Sequence, residues 1–343
     1  MTATTGDGLD LPTFLFDSET NRAVHDALPG VVVDALSILT HLGDGTTITV
    51  LAVLLYWFGS ERNRQSRAMV LAVAVSTLAL VAGLKGILEV QRPLYVADPP
   101  LGFAPDDYTG YSTPSAHAMG AAAVYGALAA VMNVGKRWQR YTVAGFIILS
   151  VALSRVVIGL HYVGDVVSGV VLGLLLVALA LQFRKSRDSV LMMFGLALVI
   201  AVAGFVLGSR EFTTMAVGTS LGGVVGWYLV RDIDADPWGS SLLLLGVAVL
   251  PFLLVLRVVD RFVTVGVHVE IVGVGEVPFM AFVETLGFAV VFGLVVALPV
   301  IAHRLNGTPA AVRLQTLLPL EGRSVEAESA GEKPETETEY ETE

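Results

Sequence analysis

The sequence predicts an all-α, polytopic membrane helical bundle of about nine transmembrane helices. Several apolar runs reach the roughly 20 residues that a helix needs to cross a bilayer. Charged residues are only 15% of the 343 and gather in short stretches between those runs, whereas 54% of the chain is hydrophobic and mean hydropathy is +0.72. Cysteine is absent, which excludes disulfides, thiolate metal sites and cysteine nucleophiles.

Residues 1–42 are read as an N-terminal segment. Its first 30 residues are polar and irregular, and the first basic residue is Arg22, so no cleaved signal peptide is expected. Val32, Leu36 and Leu39 give residues 30–42 an apolar side, but Asp34 and His41 interrupt it, which fits a short helix lying in the interface. The first span is expected over 43–58, followed by the basic stretch Glu61–Arg67. The second covers 68–90 and stops at Arg92-Pro93, because the residue before a proline is pushed out of the α region. The loop 94–113 carries Pro99, Pro100 and Pro105, acidic Asp98, Asp106 and Asp107, and Tyr95, Phe103, Tyr108 and Tyr111, aromatics that favour the headgroup level.

A third span is expected over 115–134, then basic Lys136, Arg137 and Arg140, a fourth over 141–158 and a fifth over 162–183, ending in Arg184, Lys185 and Arg187. Residues 43–188 therefore form a five-span core. Four further spans, near 189–208, 213–230, 240–257 and 277–302, make a C-terminal extension over 189–305, with a linker at 258–276. Residues 306–343 are expected to be a disordered acidic tail, since alternating Glu and Thr cannot bury a core. The net charge of −10 is mostly the end of this tail, residues 321–343, where nine Glu stand against Arg323 and Lys333. The basic stretches 61–67, 135–140 and 184–187 are separated by two spans each and so share a side, which the positive-inside tendency makes cytoplasmic. Loops 94–113 and 159–161 then face outward, and nine spans leave the tail in the cytoplasm of a multi-pass protein of the cell membrane.

Between the fourth and fifth spans, Arg155, His161 and Asp165 stand where apolar sequence meets apolar sequence. Charge at membrane depth is costly and marks a candidate functional site. His161 and Asp165, four apart, lie on one helix face. There the carboxylate can raise the basicity of the imidazole, hold one ring nitrogen protonated and leave the other free to attack. Arg155 brings a planar fork suited to phosphate oxygens. The other reading is an Arg155–Asp165 pair joining two helices, with His161 as filler. Lys85 and Arg92, seven apart, share a face at the outer end of span two. Thr113-Pro114-Ser115-Ala116-His117 opens span three as a helix N-terminus, whose unpaired N–H groups attract anions. Its dipole disfavours a positive charge on His117 and eases proton donation. Phosphate is the anion that best explains these groups together.

In order and internal spacing, Lys85-x6-Arg92-Pro93, Pro114-Ser115-Ala116-His117 and Ser154-Arg155-x5-His161-x3-Asp165 resemble the three-part signature of the type 2 phosphatidic acid phosphatase superfamily. That superfamily also holds bacterial acid phosphatases, glucose-6-phosphatase and vanadium haloperoxidases. The motifs cover about 85–165, with similar topology over about 40–185. Ala116 departs from the family's usual glycine; its N–H survives, and the added methyl narrows the pocket. The resemblance implies that His161 is the nucleophile, that Asp165 orients it, and that His117 protonates the leaving oxygen and then activates water. It assigns phosphate binding to Lys85, Arg92, Ser115, Ala116 and Arg155, with no metal or other cofactor required.

The remaining polar residues receive structural readings. His25, His41, His268 and His303 are read as interfacial or loop residues, Arg257, Asp260 and Arg261 as an interfacial ion-pair cluster, and Glu276 and Glu284 as structural. Asn306-Gly307-Thr308 matches a glycosylation sequon but falls on the cytoplasmic side. The expected activity is hydrolysis of a lipid phosphate or an isoprenoid diphosphate at the outer face. Lipid-linked phosphotransfer and a non-catalytic anion-binding or transport protein stay open. The expected partners are the bilayer and the lipid phosphate; no nucleic acid is expected, and a homo-oligomer is left open.

Overall fold

A computed structural model describes residues 13–58, 64–105, 108–208, 212–235, 237–247, 268–271 and 275–317. In chain order the helices are α1 (Ser18–Asp26), α2 (Gly30–Leu39), α3 (Gly45–Phe58), α4 (Arg64–Leu88), the single turn α5 (Pro93–Val96), α6 (Ala116–Val131), α7 (Arg137–Val157), α8 (Val163–Phe183), α9 (Ser189–Leu207) and α10 (Thr213–Val230). Helical residues 239–247 and the helices Phe279–His303 and Pro309–Leu317 complete the set.

The expected all-helical membrane bundle is what forms. Five of these helices are long and apolar enough to span a bilayer, or six if the bent pair α1 and α2 is one broken span, among the described residues. α3 and α6 are apolar but shorter, at 14 and 16 residues. At 1.5 Å per residue, α6 reaches about 24 Å, less than the hydrocarbon thickness of about 30 Å. The expected eighth span beyond residue 247, the Arg257–Asp260–Arg261 cluster, Glu61–Asn63, Asp106 and Asp107, and the tail from 318 lie outside the described residues.

Small residues set how closely the helices approach. A Cβ at Gly173 of α8 would stand 2.5 Å from the Met119 carbonyl of α6, and one at Gly204 of α9 would stand 2.5 Å from the Gly83 Cα of α4. Lipid gives helices no hydrophobic reason to associate, so such backbone-to-backbone contact is what holds them. α10 lies along Phe279–His303 in the same manner, with Gly222 against the Ala289 carbonyl. Glu284 accepts a 3.0 Å bond from Thr214 across that pair.

Three local expectations change. Residues 18–26 are helical rather than irregular, because Asp17 caps the Glu19 N–H and an acidic first turn suits the helix dipole. His268–Ile271 and Gly275–Pro278 pair as two antiparallel strands, where a linker was expected up to residue 276. Pro309–Leu317 is a helix and not part of a disordered tail, with Pro at its first position and the Thr308 hydroxyl accepting from the Ala311 N–H at 3.4 Å. Asn306 accepts from the Trp238 N–H at 2.9 Å and the Ser241 hydroxyl at 3.0 Å, so the sequon's asparagine caps the 239–247 helix.

The basic ends of α4 and α8 meet, since the Gln65 amide donates to the Arg187 carbonyl at 3.2 Å. Arg64 is buried there and donates to the carbonyls of Val230 and Ile233 at 3.1 and 2.6 Å, closing the C-terminus of α10. The Lys85 end of α4, the N-termini of α6 and α8 and the C-terminus of α7 therefore gather at the opposite end of the bundle.

Candidate active site

The turn between α7 and α8 brings His161 into the core. α7 ends at Val157 with Ile158 as its C-cap, and Gly159 takes a φ of +70°, a left-handed conformation that glycine adopts without Cβ strain. Leu101, Phe103 and Ala104 pack against this turn. His161 is 1% exposed and Asp165 is fully buried, with His161 Nδ1 3.3 Å from Asp165 Oδ2. The carboxylate is held on every side. It accepts from the hydroxyls of Ser112 and Thr113 and, at 2.8 Å, from the Tyr162 N–H. Ser112 is itself fixed by a 2.7 Å bond from its N–H to the Val90 carbonyl, which closes the neck of the 94–113 loop.

Arg92 fixes the tautomer. Its NH1 lies 3.1 Å from His161 Nε2 and also donates to the Leu160 carbonyl at 3.0 Å. Arginine carries only donors, so Nε2 must accept, and the ring proton sits on Nδ1 facing Asp165. Burial, together with the charges of Arg92, Lys85 and Arg155, pushes the imidazole well below the usual histidine range. The Asp165 hydrogen bond pulls the other way, as the sequence suggested, but is outweighed. The ring is therefore neutral at neutral pH, with a lone pair on Nε2 beside fixed cations.

Lys85 and Arg155 are near enough to act on this ring electrostatically. Lys85 Nζ donates to the Tyr111 carbonyl at 2.6 Å. Arg155 is 1% exposed and donates to Thr40 Oγ1 at 3.1 Å and to the Tyr108 hydroxyl at 3.0 Å. Its buried Nε has no hydrogen-bond partner among the described residues. The guanidiniums of Arg92 and Arg155 both lie over the Tyr108 ring, 5.0 and 5.2 Å from its centroid. The alternative Arg155–Asp165 pair is not formed, because each group has other partners. Ser115 caps α6, accepting from the Ala118 N–H at 3.5 Å, and its own N–H donates to the Asp165 carbonyl at 3.0 Å. Ala116 and His117 follow in the first turn of α6, where backbone N–H groups have no intrahelical acceptor. No group of three or more His, Asp or Glu side chains is placed to hold a metal ion among the described residues.

The sequence profile of the PAP2 superfamily matches residues 65–189. Phosphatidylglycerophosphatase B of Bacillus subtilis (strain 168) is 32% identical over 157 residues, 43% of this chain and 72% of the relative. The chain belongs to the PAP2 superfamily. It is accordingly an integral-membrane phosphatase, a hydrolase of phosphate esters. A crystal structure of a transmembrane PAP2-type phosphatidylglycerolphosphate phosphatase from Bacillus subtilis aligns with a TM-score of 0.41 and 27% identity, over 49% of this chain and 84% of that one.

Around the PAP2 motifs stand residues that sequence reasoning passed over. Asn21 of α1 is fully buried and donates to the carbonyls of Val156 and His161, both at 2.9 Å, clasping the backbone of the candidate nucleophile. His25 stacks on Phe103 with ring centroids 3.8 Å apart, and its Nδ1 lies 2.9 Å from the Val157 carbonyl. Arg22 donates to the Pro99 carbonyl at 2.8 Å. α1 thus straps the His161 turn to the 94–113 loop. Tyr108 between two arginines was read only as a headgroup aromatic. Its signal was the acidic, aromatic loop itself, but nothing in that loop names the partner.

Proposed function

We propose that this PAP2 enzyme removes the terminal phosphate from a glycerophospholipid phosphate monoester at the outer membrane face, through a phosphohistidine on His161. The observation that carries this reading is the placement of the buried His161 ring between Asp165 and Arg92. Its Nδ1–H faces Asp165 and its Nε2 lone pair stands against Arg92. Pure anion binding needs only cations, whereas a desolvated, oriented lone pair beside them suits attack on phosphorus.

In the first step Nε2 of His161 attacks phosphorus and the ester P–O bond breaks. The leaving alkoxide takes a proton from His117, and the positive charge on His161 is balanced by Asp165. In the second, water attacks phosphorus, gives its proton to His117, and the P–N bond breaks to release phosphate and neutral His161. Arg92, Arg155, Lys85 and the first N–H groups of α6 hold the equatorial oxygens while charge redistributes. The unpaired Nε–H of Arg155 is suited to one of those oxygens. These fixed cations make a metal ion unnecessary.

The choice of a glycerolipid is supported by the relative of 32% identity, whose name is that of a phosphatidylglycerophosphatase. The short reach of α6, which begins at the site, supports a centre at headgroup depth. The outward orientation rests on the basic ends of α4 and α8 lying at the far end of the bundle. Detergent-purified protein tests the reading when given phosphatidylglycerophosphate, phosphatidate and an isoprenyl diphosphate with phosphate release measured. Release is expected to be fastest with the glycerolipid monoesters, unchanged by EDTA and inhibited by vanadate. Preference for the diphosphate would change the substrate class. Loss with EDTA that magnesium restores would contradict the metal-free mechanism, and release from none would favour an anion-binding protein.

A further inference from the structure

Ahead of the three PAP2 motifs, the turn between α2 and α3 reaches into the site from a part of the chain outside the matched region. This turn, Thr40–Gly43 followed by Asp44, touches the machinery at four points. Thr40 Oγ1 accepts from Arg155 at 3.1 Å, and the Leu42 carbonyl accepts from Tyr125 of α6 at 2.9 Å. Gly43 lies so close that a Cβ there would stand 3.1 Å from the His117 Cβ, 3.2 Å from the His117 carbonyl and 2.5 Å from the Val151 side chain. Asp44 Oδ1 lies 2.8 Å from His117 Nε2, and its Oδ2 lies 2.8 Å from Nδ1 of His41.

We propose that the Thr40–Asp44 turn is a fourth segment of the active site and that Asp44 is the positioning residue of His117, tethered in turn by His41. The carboxylate accepts the Nε2–H of His117, which leaves Nδ1 as the nitrogen that gives and takes the substrate proton. When water is activated, His117 gains a proton on Nδ1 and becomes an imidazolium, and the adjacent carboxylate offsets that charge. When the ester bond breaks, that proton passes to the leaving oxygen and His117 returns to neutral with Asp44 unchanged. Burial raises the Asp44 carboxyl, but the hydrogen bonds and charges of His41 and His117 outweigh it and hold the group below its ordinary value, so it stays ionised. His117 is 14% exposed on its side chain and Asp44 36%, so the pair is shielded from bulk water on the His117 side. The arrangement repeats on His117 what Asp165 does for His161, with one carboxylate for each imidazole. Gly43 is what lets the turn come this near, since any side chain would push Asp44 off the ring.

The inference rests on His117 acting as general acid, and the experiment keeps the two claims separate. Asp44→Asn, His117→Ala and the double variant are purified and assayed on phosphatidate and on 4-nitrophenyl phosphate, whose leaving group needs no proton. Asp44→Asn is expected to lower kcat on phosphatidate by about 10²-fold, within the usual range for losing general-acid assistance. Phosphorylation of the enzyme by the nitrophenyl ester should stay within about threefold of wild type. In the His117→Ala background the same change should add less than about twofold on either ester, because a residue acting only through His117 has nothing left to position. Equal losses on both esters, or losses that multiply in the double variant, would overturn the role of Asp44. A His117→Ala variant that hits both esters equally would instead overturn the general-acid reading itself. If Asp44→Asn does not fold, His41→Ala carries the same test. It removes a mostly exposed ring and should lower phosphatidate turnover about threefold to tenfold with the same selectivity, and an unselective loss would overturn the proposal.

Discussion

His161→Ala is expected to abolish phosphate release from every substrate, a loss on the order of 10⁵-fold or more, as when other covalent catalysts lose their nucleophile. No leaving group rescues it, because the first bond to phosphorus cannot form. Folding should survive: the His161 carbonyl that Asn21 holds is backbone and remains, and the lost ring leaves Asp165 with the Ser112, Thr113 and Tyr162 donors. The pH dependence follows from the same geometry. The imidazole is held well below its ordinary value by burial and by Arg92, Lys85 and Arg155. The nucleophile therefore stays neutral as pH falls through about 6.5, where a free histidine would charge, and the rate should not fall in that range for want of a lone pair. Stability follows the same sign. Below about 6.5 the unfolded chain binds a proton that the native ring refuses, so native stability declines as pH drops from there. A profile with a limb near 6.5 that persists with a nitrophenyl ester would contradict this.

Arg155→Ala is expected to lower kcat/KM by about 10²- to 10³-fold, the size seen when a preorganised oxyanion donor is removed. Arg155 donates to Tyr108 and Thr40 and keeps a buried, unpaired Nε–H. Replacing it removes the charge and both tethers at once. Arg155→Lys separates these effects. It keeps the charge but not the planar fork, and recovery of only about tenfold over the alanine variant would show that geometry, not charge alone, is used. Full recovery would reduce Arg155 to a point charge, and vanadate inhibition should weaken in step with kcat/KM in both variants.

Much of the site was legible in the sequence because its parts lie close along the chain. His161 and Asp165 are one helical turn apart and Ser115 immediately precedes α6, so their placement follows from local geometry, whereas their expected roles came from the resemblance of the three motifs. The helices were legible for the same reason. Ser189–Leu207 and Thr213–Val230 are apolar runs whose ends fall within a residue of those expected. What could not be read were the contacts that only tertiary structure makes. Asp44 meets His117 across 73 positions, and Asn21 meets His161 across 140. Asp44 fell unremarked inside the expected first span, and Asn21 was one more polar residue in a segment read as irregular. Neither has a periodicity that betrays a buried partner. The strap of α1 and the Thr40–Asp44 turn bring both onto the motifs.

The most direct test of His161 as nucleophile is to find the phosphate. His117→Ala protein is mixed with 4-nitrophenyl phosphate, quenched in base because a phosphohistidine is labile in acid, digested, and mapped by mass spectrometry. The mechanism predicts phosphate on His161 in near-stoichiometric amount, accumulating because His117 is absent to activate water. Phosphate on any other residue, or none on His161 while nitrophenol is still released in a burst, would contradict it.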